Sequence, residues 1–424
     1  MLNSTPFAHP QRNLPHLLRI FVGFLLTLLF GCQDKTAPVT QPFPHQAESP
    51  QDLPKVAKLT AENFEEFVAE WDSIFSKKLD STKCPGAAMV IVQDSQVIFQ
   101  KGYGLRSTRD TAKVDIHTRF RIGSLSKGFA GVIASLVAAQ GKLRFDERVK
   151  DILSDFVLCD SAQTERIRVW HLLSHSTGLP RHTFTGKVEG NEDRRAILCD
   201  LETVPVIGAE GTVFAYQNFS FSLMEDILQI RTGKPYPDLV ESYIFRKTGM
   251  IDATIRESEW FAAANKALPH SNDRQGNFHP MPLNSKYFSA PSAGGVAASI
   301  SDMGKWLKVL LGQRPDVANN SVLDSTFFPR VETQSRAFAN RWEGALASYY
   351  GAGWRIIDLG DQKIVCHGGN VNNYRSEMAF DREAGIGVCF LFNAICPGQA
   401  EGPPDFFKFY RSFMAAHAKL EANS

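Results

Sequence analysis

The 424-residue chain contains no CxxC pair and no Cys/His spacing of the zinc-finger kind, which removes the usual thiol-redox and structural-zinc motifs. It also lacks an excess of charge of either sign. Lys and Arg number 46 against 45 Asp and Glu, the net charge is +1, and no basic stripe marks a nucleic-acid groove. There is no internal repeat, so a solenoid or propeller is excluded. The apolar run Ile20–Phe30 falls short of the about 18 residues that a comfortable membrane span needs. What remains is a chain with 43% hydrophobic content, long enough to bury one large core or two smaller ones.

The ends and linkers separate by composition. Arg12 and Arg19 precede Ile20–Phe30, as in a signal peptide, and "LLFGCQDK" places Gly31 and Cys32 where a lipoprotein is processed. Residues 1–32 are therefore expected to be a leader, with Cys32 the lipidated first residue of the mature chain. Gln33 after it favours the outer membrane by the bacterial sorting pattern, so the expected location is the periplasm, on a lipid anchor. Residues 33–57, rich in Pro and Gln without apolar periodicity, read as a solvated tether, and 58–424 as the folded domain. Cys84, Cys159, Cys199, Cys366, Cys389 and Cys396 remain, and the sequence does not select pairs among them.

Periodicity predicts a helix over about 60–79. "GAAMVIVQDSQVIFQKGYG" then alternates like two strands joined by a turn at Asp94 and Ser95. Helical patterns follow at 124–140, 219–231 and 236–246, then a loop-rich stretch to Gly295 and a helix at 302–311 that Ser301 would cap. Strands with polar turns fill 349–393, and Pro403 introduces a last helix to about Leu420. Strands at both ends with helices between predict one sheet assembled from both ends of the chain.

Three short elements carry chemistry. In "RIGSLSKGFAG" a serine hydroxyl, a poor nucleophile until its proton is taken, stands one helical turn before a lysine, so Ser124 and Lys127 share a face. An S-x-x-K string arises by chance about once or twice in a chain this long, but this one opens a helix beside Gly123. "AYQNF" places Tyr216 and Asn218 on a turn before a helical run, where a packed aromatic and a turn asparagine are the bland alternative. In "VCHGGN" two glycines after His367 let a ligand lie close to a strand edge, as a plain hairpin also would.

In this order and at these intervals, the three elements resemble the boxes of the serine β-lactamase and penicillin-binding-protein superfamily, most nearly the class C type with an H-x-G third box. "CPGAAMVIV", "IRVWHLLSHSTGLP" and "SAGGVAASISDMGKWL" support the resemblance, which runs from about Pro85 to Asn393. "FRKTGM" spells K-T-G at Lys247–Gly249, but it follows Tyr216 too closely and closes a helical pattern, so the third box is His367, Gly368 and Gly369. His171 and His175 stand at i, i+4 without the glutamate of a metalloprotease helix, and no metal site is expected there.

The resemblance implies an α/β (α+β) sandwich, an antiparallel sheet flanked by helices, with a mostly helical second domain and a cleft between them. It implies acyl transfer: Ser124 as nucleophile, Lys127 and Tyr216 managing its proton, Asn218 holding the lysine or a substrate amide. The amides of Ser124 and Asn370, beside Gly369, would form the oxyanion hole. No cofactor is called for, and the substrate would be a small molecule or a peptidoglycan-like peptide. His367 is expected to read substrate charge in its protonated form, with Arg375 as the replacement cation. The alternative is a non-catalytic or slow penicillin-binding protein of the same fold.

Overall fold

In β1 (Gly86–Gln93) every residue is buried. Ala87, Met89 and Ile91 enter one apolar layer, Ala88, Val90 and Val92 the other. Alternation with both faces apolar is the signature of a central strand covered on both sides. In the computed structural model, which describes residues 58–423 apart from 335 and 361, β1 lies in an eight-stranded antiparallel sheet. The expected leader, tether and Cys32 lie outside the described residues. The other strands are β2 (Gln96–Gly104), β3 (Val331–Glu332), β4 (Ala347–Tyr350), β5 (Arg355–Asp358), β6 (Lys363–Val371), β7 (Tyr374–Asp381) and β8 (Ile386–Phe392). Their spatial order is β2-β1-β8-β7-β6-β5-β4-β3. Ala87 faces Phe392 across the β1–β8 pair, so the two ends of the domain do meet in one sheet.

One face is covered by α1 (Phe64–Thr82) and the C-terminal helix. Phe67, Trp71 and Phe75, spaced by four, form the buried stripe of α1; Phe67 meets Phe406, Tyr410 and Phe413, Trp71 meets Phe406, and Phe75 packs on Phe390 and Phe392 of the sheet. Each such side chain contributes about 2–3 kcal/mol when fully buried. The other face is covered by α2 (Ser126–Ala139) and a helix over Ile300–Leu310, where Phe129 stacks on Trp306 at 4.4 Å. Between β2 and β3 lies the mostly helical part, including α3 (Asn218–Ser222) and a helix over Met224–Thr232.

Several boundaries differ from expectation. The first helix begins at Phe64, and 236–246 is interrupted by a π turn over Glu241–Phe245. Ser299, not Ser301, caps α4 (Ile300–Leu310), because its side chain accepts from the Asp302 amide while Asp302 reaches back. The stretch read as loop to Gly295 carries a short ladder, His270–Asn272 with Phe278–Pro280, and a second one, Phe120–Arg121 with Ala297–Ala298, lies outside it. The last helix, α5, spans Gly402–Asn423.

Candidate active site

Ser124 lies in a 3-10 turn, Gly123–Leu125, just before α2. Gly123 takes φ +51°, and a Cβ there would sit 2.8 Å from the Asn370 nitrogen. A Cβ on Gly369 would sit 2.0 Å from the Ile122 oxygen, so the turn and β6 touch backbone to backbone. Ser376 Oγ donates to that same carbonyl at 2.7 Å. Glycine at 123 and 369 is thus what lets β6 approach the serine. Ser126, two residues on, is buried and accepts the Val296 amide at 3.0 Å, whereas Ser124 is only half-buried and lines the cleft.

Lys127 is fully buried beneath Ser124. Its Nζ lies 2.7 Å from Asn218 Oδ1, 2.7 Å from the Ala293 carbonyl and 3.4 Å from Ser124 Oγ. It also sits over the rings of Tyr216 and Phe221, at 4.8 and 5.4 Å from their centroids. Among the described residues no carboxylate pairs with it, and burial holds its pKa well below the usual lysine value. A neutral amine has two N–H donors and one lone pair. Two acceptors at 2.7 Å take the donors and leave the lone pair for the Ser124 hydroxyl.

Tyr216 is buried, and its hydroxyl has no well-formed hydrogen bond among the described residues. Burial pushes its pKa up to about 12, an effect that the neighbouring Ser124 side chain opposes. The phenol is therefore an acid rather than a base at neutral pH. His175 packs on it at 4.2 Å between centroids and accepts the Gln217 amide through Nδ1 at 3.2 Å. His171 accepts the Arg168 amide, so the two histidines of "HLLSH" serve separate backbone contacts. Among the described residues no group of three or more His, Cys, Asp or Glu could hold a metal. Lys247–Gly249 closes a short helix, Gly249 at φ +71°, and does not line the cleft.

The cleft, about 760 Å³, brings Ser124, Tyr216, Asn218, His367 and Asn370 together. His367 does not have the charge expected of it. It is 4% exposed, its Nδ1–H donates to the Gly368 carbonyl at 2.8 Å, and its Nε2 accepts from the Tyr350 hydroxyl at 2.8 Å. Burial first, then the charge of Arg355, holds its pKa well below 6.5. Histidine here is a neutral, anchored wall of the site. Arg375 is ion-paired to buried Glu377, whose own pKa burial pushes up to about 7 against the pull of that arginine.

Several contributors escaped sequence reading. Asn218 Nδ2 donates to the Tyr287 hydroxyl at 2.9 Å, and Tyr287 donates to Glu189 at 3.2 Å. Tyr287 holds φ +65°, a strained value for an aromatic residue, at the cleft wall. Glu225 is buried, accepts from the amide and hydroxyl of Ser292 at 2.8 and 2.6 Å, and pairs with Arg194 at 2.5 Å. That network fixes the turn that presents the Ala293 carbonyl to Lys127. Ser292 and Ala293 stood in the quoted stretch "SAGGVAASISDMGKWL", and His175 in the i, i+4 histidine pair, without a role being read for them.

The Beta-lactamase family model matches residues 71–401. The chain belongs to that family. As a member it is similar to unguisins hydrolase ungD' of Aspergillus campestris, 27% identical over 75% of this chain and 60% of the relative. It is similar to protein flp of Staphylococcus aureus strain MW2, 24% identical over 76% of this chain and 62% of that protein. The chain thus spans about three fifths of the length of these curated relatives. The structure of the octameric penicillin-binding protein homologue from Pyrococcus abyssi superposes with a TM-score of 0.70 at 23% identity, covering 82% of this chain and 77% of that one. The antiparallel sheet with flanking helices is accordingly the β-lactamase/transpeptidase-like fold, and the family is one of serine hydrolases.

Proposed function

We propose that this protein acts through an acyl-enzyme at Ser124 on an ester, amide or β-lactam carbonyl. The observation that carries the proposal is the buried, carboxylate-free amine of Lys127, its two donors occupied and its third direction toward Ser124 Oγ. Lys127 takes the serine proton as Oγ attacks the carbonyl carbon. The oxyanion develops at the Gly123–Asn370 contact, where the Ser124 and Asn370 amides meet the cleft. Tyr216, held as a phenol beside Ser124, gives its proton to the leaving group and is reprotonated from the Lys127 ammonium, which restores the neutral amine; water, losing a proton to that amine, then releases the acyl group and Ser124 recovers its proton. β5 pairs with β6 only over Lys363–Cys366, so the edge of 367–371 is open on that side for an extended substrate chain. A relative named as a hydrolase supports turnover rather than mere binding.

The reading of an exported protein anchored through Cys32 belongs to the same proposal and rests on the leader pattern alone. Intact-protein mass spectrometry after a fluorophosphonate, and separately a penicillin, tests the chemistry. A single adduct lost in Ser124→Ala but kept in Ser126→Ala supports it. An adduct that survives Ser124→Ala refutes it. A penicilloyl adduct that persists for hours identifies the slow penicillin-binding alternative.

A further inference from the structure

We infer that Cys84 and Cys396 are built to form a disulfide that ties the start of β1 to the segment leading into α5. The pairing follows first from register. Ala87 faces Phe392, and continuing that ladder three residues outward sets Cys84 opposite Ile395, the neighbour of Cys396. It follows again from Gln399, whose Nε2 reaches Cys84 Sγ at 3.9 Å while its Oε1 accepts the Cys396 amide at 2.9 Å. One side chain thus holds both cysteines, and both are free thiols in this structure.

The thiols lie against each other closely enough to alter each other's proton affinity. Contact with Cys396, with burial, raises the pKa of Cys84, and contact with Cys84 lowers that of Cys396. Among the described residues the other four cysteines offer no such match. Cys159 and Cys199 are exposed, whereas Cys366 and Cys389 point into opposite apolar layers of the sheet. Access is available too, because Cys84 is half-buried and lines an open cleft of about 510 Å³ between α1 and β2.

The oxidant is an external disulfide, of a small thiol or of a dithiol–disulfide protein. One cysteine thiolate attacks it, expelling a thiolate and leaving a mixed disulfide. The second cysteine thiolate then attacks the protein-bound sulfur, the S–S bond forms, and the second external thiolate leaves. The two cysteines lose two protons and two electrons, and the external disulfide becomes two thiols. The bond closes a loop over most of the domain, so it constrains the unfolded chain strongly.

The test uses the full chain, folded and treated with oxidised glutathione, then quenched in acid, alkylated and digested with trypsin without reduction. The expected product is peptide 84–101 linked to peptide 383–408, with fragmentation placing the bond at Cys396 rather than Cys389. The oxidised protein should melt at least a few degrees above the dithiothreitol-treated one, and Cys84→Ser and Cys396→Ser should each remove that difference. Glutathione adducts on Cys159 and Cys199 without the linked peptide would overturn the inference. So would a link from Cys84 to any other cysteine, or one that forms only in urea. Neither outcome bears on acylation at Ser124.

Discussion

Asn218→Asp puts a carboxylate 2.7 Å from Lys127 Nζ with almost no change in shape. Two unit charges at that distance attract by about 6 kcal/mol at an effective dielectric near 20, or about 4 pKa units before the cost of burying the carboxylate. Desolvating the new carboxylate at a position that is 5% exposed offsets part of this, so a rise of about two units in the Lys127 pKa is the working figure. The second carboxylate oxygen replaces Nδ2, and the Tyr287 hydroxyl must turn its proton from Glu189 to meet it. In the wild type the lysine pKa is lowered, so the neutral, basic form persists to lower pH and acylation falls only on the acid side. In the variant the ammonium persists upward, the acid limb moves to higher pH by about two units, and at a pH below both limbs acylation drops by about 100-fold. The measurement is the second-order rate of adduct formation with p-nitrophenyl acetate and a fluorophosphonate from about pH 5 to 10, a range wide enough to show the limb in both proteins. Raising pH should restore much of the variant's rate. A rate lowered equally at every pH, with the limb unmoved, would refute Lys127 as the titrating base. A wild-type rate that climbs throughout the alkaline range would point to Tyr216, whose pKa of about 12 would then set the limb.

Glu225→Ala leaves Arg194 and the Ser292 amide without their buried partner and should cost about 3–5 kcal/mol by urea unfolding. It should also slow acylation by loosening the Ala293 carbonyl, whereas Glu225→Gln, still able to accept from Ser292, should keep most of the rate. Because His367 stays neutral, the ratio of penicillin to p-nitrophenyl acetate acylation rates should be flat from about pH 8 to 6, the range in which a free histidine would titrate. A ratio that rises toward the acid end would restore the histidine as a charge reader. Trp71→Ala should lower unfolding free energy by about 3–5 kcal/mol with the acylation rate unchanged, since α1 packs on the sheet face away from Ser124.

What the sequence made legible was local or backbone-driven. Ser124 and Lys127 are three apart at the start of a helix, so their proximity needs only helical geometry. Gly123 and Gly369 were conspicuous as glycines because two backbones meet there. The alternation of β1 was clear because both of its faces are apolar. Boundaries slipped where side chains compete for one role, as when Ser299 takes the cap expected of Ser301 by pairing with Asp302. Charge was the least legible property. Free pKa values describe a residue in water, whereas His367 is neutral because it is buried between the Tyr350 hydroxyl and the Gly368 carbonyl and Arg355 repels a proton. Lys127 likewise depends on an Ala293 carbonyl 166 residues away, delivered by a turn that Glu225 holds from a third segment. The proposed nucleophile and its proposed base can therefore be found from spacing, but which form the lysine takes is a property of distant backbone. That is why Asn218→Asp, which alters charge and leaves spacing alone, separates the identity of the dyad from its chemistry.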